Sequence, residues 1–266
     1  MDVNEIDSLV QPVTAQAPKV GEWSRFRRQF SVAWKFGWRD ALRFFRRHAW
    51  LSLAFLGAVV SIAYFVIHPY DPQFLKELQG SGERNPTVKD WANRIGFWGD
   101  FAQYNLTIFL GVWIAGRLRK SRRLRRIAIC LFVAPVIAGV FANIFRFTLG
   151  RPRPKMIGQV QQVTGKKYVD EFTGPTFNQS LQSFPSGHSA TAFGTATPLL
   201  ILLPEIGIPA TIFAGSVAWA RMYQNNHYPS DTFTGGMIGV LSGLACALPL
   251  RRRLRGLSKA LGQKKA

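Results

Sequence analysis

Uncharged apolar stretches recur six times along the chain, at residues 50–67, 101–116, 127–145, 189–204, 206–220 and 232–250. A helix crosses roughly 30 Å of hydrocarbon with about 20 mostly apolar residues, so the first, third and sixth runs are long enough alone. The other three are shorter. Interfacial residues such as Phe97 and Trp98 extend the second, and burial within protein relaxes the length requirement for the fourth and fifth. The expected fold class is all-α: a polytopic membrane protein with six transmembrane helices over 50–250. It is flanked by a disordered tail (1–25), a basic amphipathic helix (26–49) and a basic tail (251–266).

Charge sets the orientation. The formal net charge is +20, which suits either nucleic acid or anionic lipid. Nine basic residues precede the first run, seven lie in RLRKSRRLRR (117–126) and seven follow residue 250. In a six-span chain all three groups fall on one side, so the positive-inside rule makes both termini cytoplasmic and anionic lipids of that leaflet the expected partners. No aromatic-basic RNA motif or helix-turn-helix pattern is present, and no nucleic-acid partner is expected. At about 100° per residue, Phe26, Phe30, Ala33, Trp34, Ala41, Phe44 and Phe45 gather on one side of the first helix. Arg28, Lys35, Arg39, Arg43 and Arg46 gather opposite, with Phe36 breaking the pattern, which reads as a helix lying on the cytoplasmic leaflet. Cys130 and Cys246 sit inside predicted spans without CxxC spacing and read as packing residues.

The same topology puts three polar segments on the extracytoplasmic face: RFTLGRPRP (146–154), PSGH (185–188) and ARMYQNNHYPSD (220–231). Arg146, Arg151, Arg153 and Arg221 are permanent cations whose forked donors match phosphate oxygens. A helix starting near Ser189 would aim the amides around Gly187 and His188 at the same place, and glycine permits close backbone approach. His227 and Asp231 are four apart, with Pro229 suited to a helix's first turn. A carboxylate at that spacing can hold the imidazole in one tautomer and leave the other nitrogen to attack phosphorus. His188 is then the candidate proton donor to the leaving oxygen.

These segments resemble the three-part signature of the type 2 phosphatidic acid phosphatase superfamily, Lys-x6-Arg-Pro, Pro-Ser-Gly-His and Ser-Arg-x5-His-x3-Asp. The spacings are kept across 146–231. The resemblance implies a membrane lipid phosphate phosphatase, with His227 as the nucleophile that forms a phosphohistidine, Asp231 as its partner and His188 as the acid. Ser186, Gly187, Arg146, Arg153 and Arg221 would hold the phosphate. Arg151 lies outside the pattern and is a further candidate contact. The family uses no metal, so neither metal nor cofactor is expected. Two positions depart: Arg146 stands where the family has lysine, replacing a compact ammonium by a fork, and Ala220 removes the serine hydroxyl.

Undecaprenyl diphosphate, phosphatidylglycerol phosphate, phosphatidic acid and lipid A phosphates all place a headgroup at such a site, and they favour a bacterial inner membrane. Two other functions share these residues: a lipid phosphotransferase using the same intermediate, and a non-catalytic protein that binds or transports anionic lipid. Residues 155–182 read as a loop over the site, with Lys166 and Lys167 on it. Residues 68–100 read as part of an outer cap, with Trp91 and Trp98 near the interface.

Overall fold

The computed structural model of the chain describes residues 22–79, 85–164 and 171–263. Among these, the one strand-like pairing is a parallel bridge between Arg151 and Gln182, and the remaining regular structure is helical. Helix α1 (Glu22–Arg47) precedes α2 (Ala49–Ser61), which continues through a π-helical stretch (Ile62–Ile67) and a 3-10 turn (His68–Tyr70) into α3 (Asp71–Gln79). Helix α4 (Pro86–Trp98) begins on proline, and the Asn85 side chain accepts from the Thr87 amide at 2.9 Å. A π-helical stretch (Phe101–Leu106) leads into α5 (Thr107–Leu118). Helices α6 (Arg122–Leu149), α7 (Ile157–Thr164), α8 (Gly187–Leu202), α9 (Pro204–Tyr223) and α10 (Pro229–Gln263) complete the order.

Three helical segments are long and apolar enough to cross a membrane: Ala49–Leu78, Arg122–Leu149 and Pro229–Gly256. They carry the first, third and sixth apolar runs, and the chain is an integral membrane protein. The second run falls in the π-helical stretch Phe101–Leu106 and α5, and the fourth and fifth in α8 and α9, of 16 and 20 residues; six crossings remain an expectation. Helix α8 differs for a physical reason. It is the central helix, packed against α6, α9 and α10, and Ser189, Thr191 and Thr195 lie buried along it among small residues. A helix surrounded by protein does not need the lipid-facing apolarity of a peripheral span.

Small residues set how closely the central helices approach. A methyl group at Gly235 would overlap the Ser186 carbonyl oxygen, one at Gly239 the Ala190 carbonyl, and one at Gly243 the Thr197 side chain. Spaced four apart, these glycines form one stripe of α10 pressed onto α8. On the other side of α8, a Cβ at Gly194 would stand 2.9 Å from the Pro135 Cα of α6.

The first helix starts at Glu22, and Trp34 and Phe45 of its apolar side pack against protein. Trp34 meets Phe132 of α6 with ring centroids 5.6 Å apart, and Phe45 meets Phe141 at 6.0 Å. Buried Asp40 accepts from Arg253 of α10, while Lys35, Arg39, Arg43 and Arg46 stay exposed. At Trp34 and Phe45 the bundle itself covers apolar surface. Residues 251–263 continue α10 as helix, and 155–182 contain α7 together with two 3-10 turns. The tail expected over 1–25 lies outside the described residues up to 21, as do Lys166 and Lys167.

Candidate active site

The three polar segments meet where α6, α8 and α9 end or begin and α10 starts. After α6 the chain turns at Gly150 (φ 55°), and 151–153 run beside 180–183. Arg153 N donates to Ser180 O at 3.0 Å, and Ser183 N to Arg151 O at 2.9 Å. Ser186 caps α8, its hydroxyl accepting from the Ser189 amide at 3.4 Å, while its own amide donates to the Asp231 carbonyl at 2.9 Å. That bond fixes the Pro-Ser-Gly-His turn to the first turn of α10.

On the open side stand half-buried cations. Arg146 Nε donates to Pro185 O at 2.9 Å, and its guanidinium lies over Gly187, where an added Cβ would come within 2.8 Å of Nη2. Arg153 Nε donates to Gln179 O at 3.1 Å. Arg221 Nη1 donates to Gln224 Oε1 at 3.0 Å, and its Nη2 lies 2.7 Å from His188 Nε2 and 3.2 Å from Nδ1. Its Nε is buried and meets no acceptor among the described residues. Each guanidinium has five N–H donors, so these contacts leave several for an anion.

The closed side is built differently. His227, 1 % exposed, donates from Nδ1 to the Ser183 carbonyl at 2.8 Å. A carbonyl only accepts, so the hydrogen sits on Nδ1 and Nε2 carries the lone pair. Asp231 Oδ2 is 3.7 Å from that Nδ1 and accepts instead from Ser183 Oγ and, at 2.9 Å, from the Tyr228 amide. The second contact is half of a capping box at the start of α10. Asp231 Oδ1 accepts from Arg151 Nη1 at 2.7 Å. Arg151, fully buried, also donates to Ser230 Oγ at 2.8 Å and through Nη2 to Asp71 Oδ2 at 2.9 Å. Its guanidinium carbon lies 3.8 Å from the Tyr228 ring centroid.

Electrostatics tie the two sides together. Burial pulls the His227 pKa down to about 4, Asp231 opposes that pull, and Arg146 and Arg153 reinforce it. His188 is lowered further, first by burial and then by Arg221, His227, Arg146 and Arg153. Both imidazoles therefore feel the same arginines, as a shared pocket requires, and both are neutral near pH 7. Burial followed by Arg153 and Arg221 also lowers Lys155 at the rim. The excess of positive charge would be relieved by a bound anion.

Of the sequence-predicted residues, His188, Arg146, Gly187 and Arg221 are brought together by direct contact. Ser186 and Asp231 are joined through the backbone, and Arg153 joins through its charge. Arg151 does not sit with these phosphate-side cations; both of its ends are taken by carboxylates. Ala220 is buried in a cluster with Ala92 and Tyr223. Ser183, Ser230 and Asp71 were not legible as site residues. One signal points to Asp71, an acid placed just past the first apolar run, where a charge is costly without a partner. Among the described residues, no three His, Cys, Asp or Glu side chains are grouped to hold a metal.

Residues 127–255 match the PAP2 superfamily. The chain is 26 % identical over 183 residues to a lipid A 1-phosphatase of Rhizobium etli, covering 65 % of this chain and 76 % of that protein. It is 28 % identical over 135 residues to an undecaprenyl-diphosphatase of Sulfolobus acidocaldarius, covering 48 % of this chain and 58 % of that protein. Among solved structures, Aquifex aeolicus LpxE aligns with a TM-score of 0.46 and 20 % identity over 65 % of this chain and 92 % of that one.

Proposed function

From a chain that carries a PAP2 superfamily domain, we propose a metal-independent lipid phosphate phosphatase that works through a phosphohistidine on His227. The observation that carries this reading is the 2.8 Å bond from His227 Nδ1 to the Ser183 carbonyl, which leaves Nε2 as a nucleophile beside the arginine-lined side of the site. The substrate is a phosphate or diphosphate monoester whose apolar tail lies in the bilayer and whose headgroup reaches the extracytoplasmic ends of α6, α8 and α9. Relatives named as lipid A 1-phosphatase and undecaprenyl-diphosphatase support this class.

Nε2 attacks phosphorus while the bond from phosphorus to the leaving oxygen breaks, and His188 delivers a proton to that oxygen. His188 is neutral in the empty site, so its proton arrives with a substrate monoanion; the bound phosphate offsets the arginine field that had lowered the imidazole. Arg146, Arg153, Arg221 and the α8 amides at Gly187 hold the equatorial oxygens, with Ser186 beneath them. Attack makes the His227 ring cationic, and the Asp231 carboxylate 3.7 Å away stabilises it. Water, deprotonated by His188, then attacks the phosphohistidine and returns His227 to its starting state.

The test is phosphate release in detergent micelles with a chelator present. The panel holds undecaprenyl diphosphate, phosphatidylglycerol phosphate, phosphatidic acid and lipid A phosphates, with His227→Ala and His188→Ala as comparators. Chelator-insensitive release that orthovanadate inhibits and both substitutions abolish is the expected result. Activity that needs magnesium, or that survives both substitutions, overturns the mechanism.

A further inference from the structure

We propose that Asp71 and Arg151 are positioning residues for the nucleophile, forming a buried relay from α3 through Arg151 to Asp231 and His227. This rests on His227 being the nucleophile, and extends the site to a helix the three motifs do not include. Asp71, Arg151 and Asp231 are each 0 % exposed. Arg151 bridges the two carboxylates, reaching Asp71 Oδ2 at 2.9 Å and Asp231 Oδ1 at 2.7 Å. Asp71 Oδ1 accepts from the Ser230 amide at 3.0 Å, and Oδ2 accepts from the Ser230 hydroxyl. One carboxylate thus grips both the guanidinium and the first turn of α10.

This geometry has two effects. By occupying Oδ1, Arg151 fixes the rotation of the Asp231 carboxylate and keeps Oδ2 for Ser183, the Tyr228 amide and the approach to His227. Ser183 is also the residue whose carbonyl holds the His227 Nδ1–H, and its amide donates to the Arg151 carbonyl at 2.9 Å, so Arg151 touches both supports of the ring. The second effect concerns charge. Two carboxylates and one guanidinium leave the relay with one net negative charge, in a dry region where charge acts strongly. That charge favours the cationic ring formed on phosphoryl transfer. A lone Asp231–Arg151 pair would be neutral and would offer less.

The full chain in micelles is assayed as wild type, Asp71→Asn and Arg151→Lys. Asp71→Asn keeps the shape and an acceptor for Ser230 while removing the charge; Arg151→Lys keeps a cation and loses the two-ended fork. Both are expected to lower kcat by about 10- to 100-fold with KM within about 3-fold, as loss of a supporting partner does elsewhere. Orthovanadate affinity of Asp71→Asn is expected to stay within about 3-fold of wild type, while the thermal unfolding midpoint falls because a buried ion pair to Arg151 is lost. Wild-type kcat in Asp71→Asn, or loss of kcat together with vanadate affinity, overturns the inference. Nitrogen-15 histidine spectra, with the His227 signal identified by its absence from His227→Ala, give a readout independent of substrate. A moved His227 ring signal in Asp71→Asn supports the relay, and an unmoved one rejects it. A wild-type protein that releases no phosphate from any lipid defeats the functional reading and leaves this spectral result to decide the relay.

Discussion

Arg151 and Arg153 stand two residues apart in one Arg-Pro-Arg-Pro stretch, and the fold uses them in opposite ways. Arg151 is fully buried between two carboxylates, whereas Arg153 is half-buried, donates to one backbone carbonyl and lies within the field of Arg146, Arg221 and, more distantly than any hydrogen bond, Asp231. Residues two apart in extended backbone share a face, so strand alternation does not separate them; their partners do, Arg151 reaching Asp71 and Asp231 and Arg153 the Gln179 carbonyl. One arginine is held inside the protein by its carboxylates, and the other retains donors that the proposed function assigns to a phosphate. An arginine near a phosphate motif is not by itself a phosphate contact; its carboxylate neighbours decide.

The largest effect tests the point where the two sides meet. His227→Ala is expected to lower kcat by about 10⁴-fold or more, read as phosphate release at saturating substrate. Activity near wild type would place the nucleophile elsewhere and remove the distinction. Next comes folding stability. Arg151→Ala leaves Asp71 and Asp231 buried and uncompensated, and is expected to cost about 3–5 kcal/mol in unfolding experiments in detergent. Arg153→Ala is expected to change stability by under ~1 kcal/mol. Equal losses would break the comparison.

Arg153→Ala should act on catalysis instead, lowering kcat/KM by about 100- to 1,000-fold in a folded protein, as loss of one preorganised donor does. Gly239→Ala probes the scaffold beneath both sides. Its methyl would meet the Ala190 carbonyl, and a stability loss of about 1–3 kcal/mol with a smaller fall in kcat is expected.

The smallest effect is in pH. His227 must be neutral to attack, and its pKa of about 4 means kcat/KM declines on the acid side near that pH, below the ordinary histidine value of about 6.5. Because His188 is neutral in the empty site, kcat/KM for a phosphate monoester should also fall above the substrate's second ionisation, near about 6. For stability the sign follows from linkage: the unfolded chain binds the His227 proton first, so the contribution is complete above about pH 6.5 and is lost as pH falls toward 4.

Much of this was legible in the sequence, because apolar length and motif spacing are local properties. The first, third and sixth runs match the three long apolar helical segments, and the three motifs converge as expected. What stayed hidden depends on pairing distant in sequence. Nothing local marks Ser183 as the residue whose carbonyl fixes the His227 tautomer, and Asp71 meets Arg151 80 positions later only because the fold brings α3 to the start of α10. The apolar side of α1 was legible as a face, but composition does not say whether lipid or protein will cover it.

The glycine stripe at 235, 239 and 243 has a mechanical corollary. With main chain bearing on main chain at two successive levels and on the Thr197 side chain at the third, the two rods that carry His188 and Asp231 have little play between them. Sliding one along the other by even a fraction of a turn would drive each notch into the ridge beside it. If the proposed substrate class holds, adaptation to a bulkier or smaller headgroup comes from the surrounding parts, because this joint has no adjustable setting.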